Sequence, residues 1–355
     1  IDSRRGFWRR SRHRRQQTRV FRGPRRVLAP AKWAPHVRGS RVRKIVVIGE
    51  IVAEIVATTR GSGFREPLPL VGPYPSGAPA IFADQAARLG QPCAIVSAVG
   101  DDDFGRLNLD RLVADGVDVS AVAVDPDRPT GSAFVRYRAD GARDFVFNIR
   151  HAACGRTPRT AEAARALAGA DHLHVMGSSL SGQDFIRANL EAAEAVKGRG
   201  GTVSFDPNLR KEMLDAPGLR AAMERVLDLT DLFLPSGEEL RLAGGGDEAE
   251  AVAGLLARGV RAVVHKRGGE GVTLHDASGA RRRPAFAVEE IDPTGAGDCF
   301  GGAFTALWLR GAGPEEALRV ACAAGALAVT RVGPMEGVAT RAELDAFIAA
   351  QEGTA

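Results

Sequence analysis

The sequence predicts an α/β protein: a doubly wound, mainly parallel sheet with helices on both faces and a small separate β layer. Three observations carry that prediction. Short apolar runs recur from Lys44 onward, each followed by a segment of helical composition, the alternation that builds parallel βαβ units. Those runs are continuous, as in strands covered on both faces. Between Val119 and Ile149 the pattern changes to short strands with one polar face, which suits an antiparallel layer.

At 355 residues the chain can bury a large core as one or two domains. Its formal net charge of +5 is unevenly spread. Residues 1–44 hold 16 Lys/Arg and one acid (Asp2), leaving 32 basic and 42 acidic residues, a balance of −10, for the remainder. An acidic body argues against specific nucleic-acid binding. Residues 1–43 show like-charge repulsion without a sustained period and are expected to be a disordered Arg-rich tail. A targeting leader and an upstream extension of the reading frame both fit that tail, and residues 44–355 are expected to form the folded domain. No apolar run is long enough to span a bilayer without Pro, Gly or charge. Cys93, Cys154, Cys299 and Cys322 lie far apart with no metal-binding spacing, as expected of reduced thiols in a cytoplasmic protein.

The elements follow in order. Lys44–Gly49 (K-I-V-V-I-G) is a buried strand, with Glu50 and Glu54 after it. Ser76–Gly90 holds Gly77 and Ala78, then a helix expected to start near Pro79. Cys93–Gly100 is the next strand, and Asp101-Asp-Asp-Phe-Gly105 opens a helix with acids at its N-terminus. That D-F-G lacks the H-R-D and V-A-I-K of a protein kinase. From Val119, V-A-V, G-S-A-F-V-R-Y-R and R-D-F-V-F-N-I read as one group of short strands, ending at Asn148 and Arg150. Asp171–Ser178 is a buried strand whose His172 and His174 read as packed strand residues, and Gly177 lies at the strand end where open sheets gather ligands. Thr202–Asp206 runs into D-P-N-L-R, which places Asn208 and Arg210 in one strand-end loop. Leu232–Glu239 follows, then Ala262–Gly271, a strand with Lys266 and a turn containing Gly268 and Gly271. Helices over Pro314–Thr330 and Arg341–Ala350 close the chain.

The stretch with the most chemistry is Ile291–Gly311, I-D-P-T-G-A-G-D-C-F-G-G-A-F-T-A-L-W-L-R-G. It reads as a turn launching a helix, Phe300–Leu309, that is apolar on nearly every face and therefore buried. Gly295, Ala296 and Gly297 leave the backbone bare at the helix entrance, where free N–H groups and the dipole favour an anion. Asp298 sits beside that spot. It reads either as a helix cap or as an acid placed to take a proton from an alcohol attacking a phosphoryl group. No G-x-x-x-x-G-K-[ST] is present, so any phosphates are held without a P-loop.

The run D-P-T-G-A-G-D-C-F resembles the C-terminal motif of the ribokinase-like (PfkB-type) carbohydrate kinases, usually D-T-x-G-A-G-D-x-F. S-G-A-P-A-I-F-A…L-G resembles their N-terminal motif, with Ser76 for a Gly and Ile81 for an Asn. V-G-D-D-D-F-G, D-P-N-L-R, S-G-E-E and G-G-E-G fall in the family's order, and the likeness spans roughly Arg43 to the C-terminus. It implies the ribokinase-like fold, with strands near 51–72 and 119–150 projecting as a β-sheet lid that builds a homodimer. It implies ATP, Mg2+ and a monovalent cation such as K+ as cofactors. In that likeness Asp298 is the base, and Gly295, Ala296 and Gly297 stabilise the phosphate. Glu54 (in place of the commoner Asp), Gly77, Ala78, Gln85, Asn148, Arg150 and Gly177 face the sugar. Asn208, Arg210, Lys266, Gly268 and Gly271 face ATP, Glu239 organises magnesium although Ser236 replaces the motif's Asn, and Asp292 lies at the cation site.

The leading expectation is an ATP-dependent kinase for a primary hydroxyl of a tagatose- or fructose-like ketohexose. Kinases of 2-keto-3-deoxygluconate or of nucleosides are its rivals. From other classes come a non-catalytic sugar-binding regulator and a polyanion-binding protein acting through the Arg-rich tail.

Overall fold

The computed structural model describes Trp33 and residues 42–353, apart from residues 62, 141, 211–213 and 215. Most of the expected tail lies outside the described residues. Trp33 does not behave as tail. Its indole Nε1–H donates to the Ala312 carbonyl at 3.0 Å, its own carbonyl accepts from Trp308 Nε1 at 2.7 Å, and its ring meets Phe304 edge-on. A large apolar ring gains more by covering core surface than by staying with its charged neighbours in sequence.

The strands are β1 (Ile45–Ile48), β2 (Val52–Ala57), β3 (Leu70–Ser76), β4 (Cys93–Gly100), β5 (Val122–Asp125), β6 (Gly131–Tyr137) and β7 (Arg143–Asn148), then β8 (His172–Met176), β9 (Thr202–Asp206), β10 (Leu232–Phe233), β11 (Ala262–Lys266), β12 (Val272–Asp276) and β13 (Gly279–Arg283). The helices are α1 (Ala78–Arg88), α2 (Asp103–Ala114), α3 (Ala161–Ala168), α4 (Gln183–Gly198), α5 (Leu219–Leu229), α6 (Glu239–Gly244), α7 (Glu248–Ala257), α8 (Ala296–Leu309), α9 (Pro314–Ala328) and α10 (Arg341–Glu352).

Nine strands form one sheet in the order β13-β12-β11-β10-β9-β8-β1-β4-β5. All neighbours are parallel except at the β11-β12-β13 edge, where two antiparallel pairings finish the sheet. Period-2 geometry sends alternate side chains of β1 to opposite faces. Ile45 and Val47 join the core under α1, α8 and α9, whereas Val46 and Ile48 join the core under α3, α4, α5 and α7. The sheet is thus covered on both sides, as the continuous apolar runs predict. His172 and His174 are fully buried in β8 and bonded to Thr202 and Ser204. Burial without a counter-charge keeps both rings neutral, with His172 pulled down to about 3.

The lid is a separate sheet, β3-β2-β6-β7, with β2 and β6 parallel and both outer pairings antiparallel. One assignment changes. V-A-V is not a lid strand: β5 runs parallel to β4 at the edge of the main sheet, Ser97–Gly100 pairing Val122–Asp125. The run is too short and too exposed to show an alternation that would have distinguished the two sheets. The buried helix also starts four residues earlier than expected, at Ala296, so Ala296, Gly297 and Asp298 form its first turn.

Candidate active site

The entrance of α8 is shaped by Gly295, which caps the helix at φ 83°. A Cβ there would lie 2.6 Å from the Pro334 carbonyl oxygen, so a side chain is excluded by both conformation and contact. The Cys299 N–H bonds back to the Gly295 carbonyl at 2.8 Å, which leaves the amides of Ala296, Gly297 and Asp298 outside the helical ladder. Beyond its first two residues, every residue of α8 is buried. The mouth is therefore rigid from behind. Lys266, at the end of β11, brings its Nζ to 3.6 Å from where a Gly297 Cβ would stand.

Asp298 is 3% exposed. It does not cap its own helix, since the capping position belongs to Gly295 and no side-chain cap bond forms. Its Oδ1 instead accepts from Asn208 Nδ2 at 2.7 Å. Burial pushes the Asp298 carboxyl up to about 7. Arg210 pulls against that rise and Asp206 adds to it, with smaller opposing effects from Lys266 and Glu50.

Asn208 belongs to the loop leaving β9. Asp206 Oδ1 accepts the Asn208 N–H at 3.1 Å, while its Oδ2 takes the ammonium of Lys266 in a buried ion pair. Half-buried Glu239, at the start of α6, ties two loops together by accepting Leu209 N–H and Ser236 N–H, both at 2.7 Å. Desolvation, with the Asp206 charge adding to it, raises the Glu239 carboxyl to about 7. Arg210 lies over the Phe145 ring of the lid at 5.8 Å.

Above this lies a second group of acids. Glu54 is 2% exposed, and its Oε2 accepts from Ser76 Oγ at 3.1 Å while its buried Oε1 has no hydrogen-bond partner among the described residues. Desolvation, reinforced by the Asp292 charge, lifts the Glu54 carboxyl to about 8. In the sheet register Glu54, Ala133 and Phe147 lie side by side, so they share the lid face that also carries Tyr137, Arg143 and Phe145. Tyr137 and Arg143 bind that face to the stretch before α8: Tyr137 Oη donates to Asp292 Oδ1 at 2.8 Å and Arg143 to Thr294 Oγ1 at 2.8 Å. Asp292 also accepts the N–H groups of Thr294 (2.9 Å) and Gly333 (3.0 Å). Among the described residues no group of three or more His, Cys, Asp or Glu could hold a metal ion.

The structure thus brings Glu54, Asn208, Arg210, Lys266, Asp292 and Asp298 into one neighbourhood. Gly77 caps α1 ahead of Ala78, packed against the Glu50 backbone, and Gly268 and Gly271 shape the turn after β11. Three expected sugar-facing residues go elsewhere. Gln85 is fully buried, and its amide exchanges two hydrogen bonds with the backbone of Ala339 (2.8 and 3.2 Å), fixing α1 to the segment before α10. Asn148 is one residue out of step with Phe147, so it points to the other lid face and donates to Ser132 Oγ at 3.2 Å. Gly177 makes room rather than a pocket wall: a Cβ there would lie 1.9 Å from the Pro207 carbonyl oxygen. Arg150 is exposed and, with Asn148, lines a cavity of about 690 Å³ whose walls include Asp102, Phe104 and Thr130. Sequence reasoning gave no role to Glu50, which is buried and accepts from Ser178 and Ser179, both at 2.7 Å. Its position directly after the strand-ending Gly49 was the available signal.

With this geometry in place, comparison with known proteins is direct. Residues 42–341 match the family model described as pfkB family carbohydrate kinase. The chain is 33% identical to the 2-dehydro-3-deoxygluconokinase of Thermoproteus tenax, covering 86% of this chain and 94% of that one. It is 31% identical to fructokinase-1 of Oryza sativa subsp. japonica, covering 86% and 97%. A putative ribokinase II from E. coli, solved in complex with ATP and Mg2+, superposes with a TM-score of 0.81 at 48% identity over 86% of this chain and 99% of that one. A fructokinase double mutant from Vibrio cholerae, solved with fructose, ADP and potassium, gives a TM-score of 0.74 at 28% identity over 88% and 100%. The described residues contain no helix long and apolar enough to cross a membrane. A bare-amide helix entrance with a buried carboxylate, set in this fold and matched along this length, makes the chain a member of the pfkB family of carbohydrate kinases, phosphotransferases that act on a sugar hydroxyl.

Proposed function

We propose that the protein transfers the terminal phosphate of ATP to a primary hydroxyl of a ketohexose of the tagatose or fructose type, with Asp298 as the base. The observation that carries this reading is a carboxylate buried at the mouth of α8, one oxygen fixed by Asn208, beside amides outside the helical ladder. An acid poised at about 7 can accept a proton near neutrality without holding it too tightly. The amides of Gly295, Ala296 and Gly297 would stabilise charge on the transferring phosphate, and Lys266 adds a cation on the same side. Gly268 and Gly271 belong to the nucleotide side. Arg210, whose charge offsets those of Asp298, Glu50 and Glu54, belongs with Asn208 to the loop expected on the nucleotide side.

The unpartnered Oε1 of Glu54 is an orphaned buried polar atom at the lid, and a sugar hydroxyl would complete it. Two carboxylates close enough to influence each other, Asp206 and Glu239, fit a magnesium ion that keeps most of its waters. Magnesium bound there would supply charge neutralisation of the phosphates. Asp292 has about four lone-pair sites and three donors, so it could give one contact to a monovalent cation, with backbone carbonyls supplying the rest. The relative holding potassium supports testing K+ dependence. The lid turns Val146 outward at 48% exposure, the feature that supports a homodimer through this sheet. Four buried, unpaired cysteines accord with a cytoplasmic location.

A second reading has its own support. Arg143 and Arg210 both lie 5.8 Å from Phe145, and two cations around one lid aromatic suit a sugar acid such as 2-keto-3-deoxygluconate. ADP release measured over ketohexoses, aldohexoses, keto-deoxy acids and nucleosides decides between them. Turnover of fructose or tagatose is the expected result. Exclusive turnover of the keto-deoxy acid moves the assignment to the second reading, and no turnover of any sugar defeats both.

A further inference from the structure

We infer that Asn208 is a positioning residue for proton transfer, holding Asp298 by one oxygen so that the other faces the incoming hydroxyl. The inference rests on the reading of Asp298 as the base. A carboxylate can only accept, so the amide NH2 of Asn208, and not its oxygen, must face Asp298 Oδ1 across 2.7 Å. That leaves Oδ2 as the free acceptor. In the step itself the alcohol O–H proton moves to Oδ2, the alcohol oxygen forms a bond to the terminal phosphorus, and the bond to ADP breaks with its electron pair leaving on ADP.

The backbone shows that this contact is built rather than incidental. Asn208 has φ 41°, and among the described residues it is the one non-glycine with positive φ. Such a conformation persists only where the surroundings impose it. Here they do so from four directions. Asp206 accepts the Asn208 N–H and is itself fixed by Lys266. Glu239 takes the next N–H along, that of Leu209, at 2.7 Å. The Pro207 carbonyl presses into the space left by the missing side chain of Gly177. Arg210 closes the loop against Phe145 of the lid. Two acids and a lysine thus act on Asp298 through the loop, and Arg210, Lys266, Asp206 and Glu50 act on it through charge. Among the described residues, only the Asn208 amide meets it by a direct side-chain hydrogen bond.

The test separates orientation from phosphate binding. Asn208→Gly accepts the positive φ and keeps the loop while deleting the amide. Its kcat should fall about 10-fold with the KM for ATP within two-fold, as expected when a reacting group loses alignment. The acid limb of its kcat–pH profile should move up, because the ionised form of Asp298 loses a donor. Asn208→Asp is the second variant, nearly the same shape with an acceptor in place of the donor, and should move that limb further up. A raised KM for ATP with an unmoved acid limb in either variant would make Asn208 a phosphate ligand and overturn the inference. Asp298→Asn measured alongside keeps the two ideas apart. An active Asp298→Asn removes the base itself, whereas an inactive one beside a parent-like Asn208→Gly removes only the positioning role.

Discussion

The two sheets hold their acids in opposite ways. Around the nine-stranded sheet, Asp206 at the end of β9, Glu239 at the start of α6 and Asp298 in the first turn of α8 each have a directed partner: an ammonium, two backbone amides and a side-chain amide respectively. On the lid, Glu54 has, among the described residues, one serine donor on Oε2 and no hydrogen-bond partner on its buried Oε1. The sheets differ in the same sense. The central strands are fully buried, whereas β7 is half exposed along its length. A transferring phosphate demands fixed geometry, which only a packed scaffold provides. Recognition of a ligand demands an unfilled valence, which is tolerable on an element that the ligand itself completes.

This contrast can be broken at its strongest point first. Asp298→Asn should cut turnover by about 100-fold or more while ATP affinity, read by titration, stays near the parent's. The same variant should be more stable than the parent, and the sign follows from linkage. The folded-state carboxyl lies near 7, above the ordinary 3.8, so protonation favours the fold, and that advantage is full below about pH 4 and lost as pH rises from there to 7. Thermal melts should therefore show a gain that is larger at pH 8 than at pH 5 by on the order of 2–3 kcal/mol and that vanishes only below about pH 4. Next in size is the parent's own pH dependence. Turnover should fall about tenfold per pH unit below 7, since only the ionised base accepts a proton.

The lid side should respond differently. Glu54→Gln removes an acid that burial lifts to about 8, and it should raise the sugar KM about tenfold while changing kcat less. A matching loss in both constants would mean that Glu54 serves the reaction rather than recognition. The smallest effect belongs to the tether between the sheets. Tyr137→Phe deletes the hydrogen bond to Asp292, worth about 1 kcal/mol, and should raise the sugar KM by about three- to five-fold. An unchanged KM would show that the lid closes without that contact.

Much of this was legible in the residues. Continuous apolar runs announced strands buried on both faces, and β1, β8, β9 and β11 are those strands. The apolar run after G-A-G-D announced a buried helix, because no surface helix can hide so much apolar area on one stripe. Gly295 was legible as a residue without a Cβ at a bare helix entrance, and the structure gives the reason in a backbone at φ 83° against the Pro334 carbonyl.

Other features were decided only by the fold. Whether Val122–Asp125 joined the lid or the main sheet depended on hydrogen bonds to β4, which leave no mark in four residues. Asn148 reads as a residue of the site until the register with Ser132 turns it to the far face, a difference of one position in the pleat. Gln85 reads as a substrate ligand until α1 packs on Ala339, 254 positions away. The sequence by itself determined the element types and the anion-binding helix entrance, because these are set by local sterics and local burial pattern. Tertiary structure decided which acids are held and which are left open, because a hydrogen bond such as that from Asn208 to Asp298, 90 residues apart, exists only once the loop after β9 meets the entrance of α8.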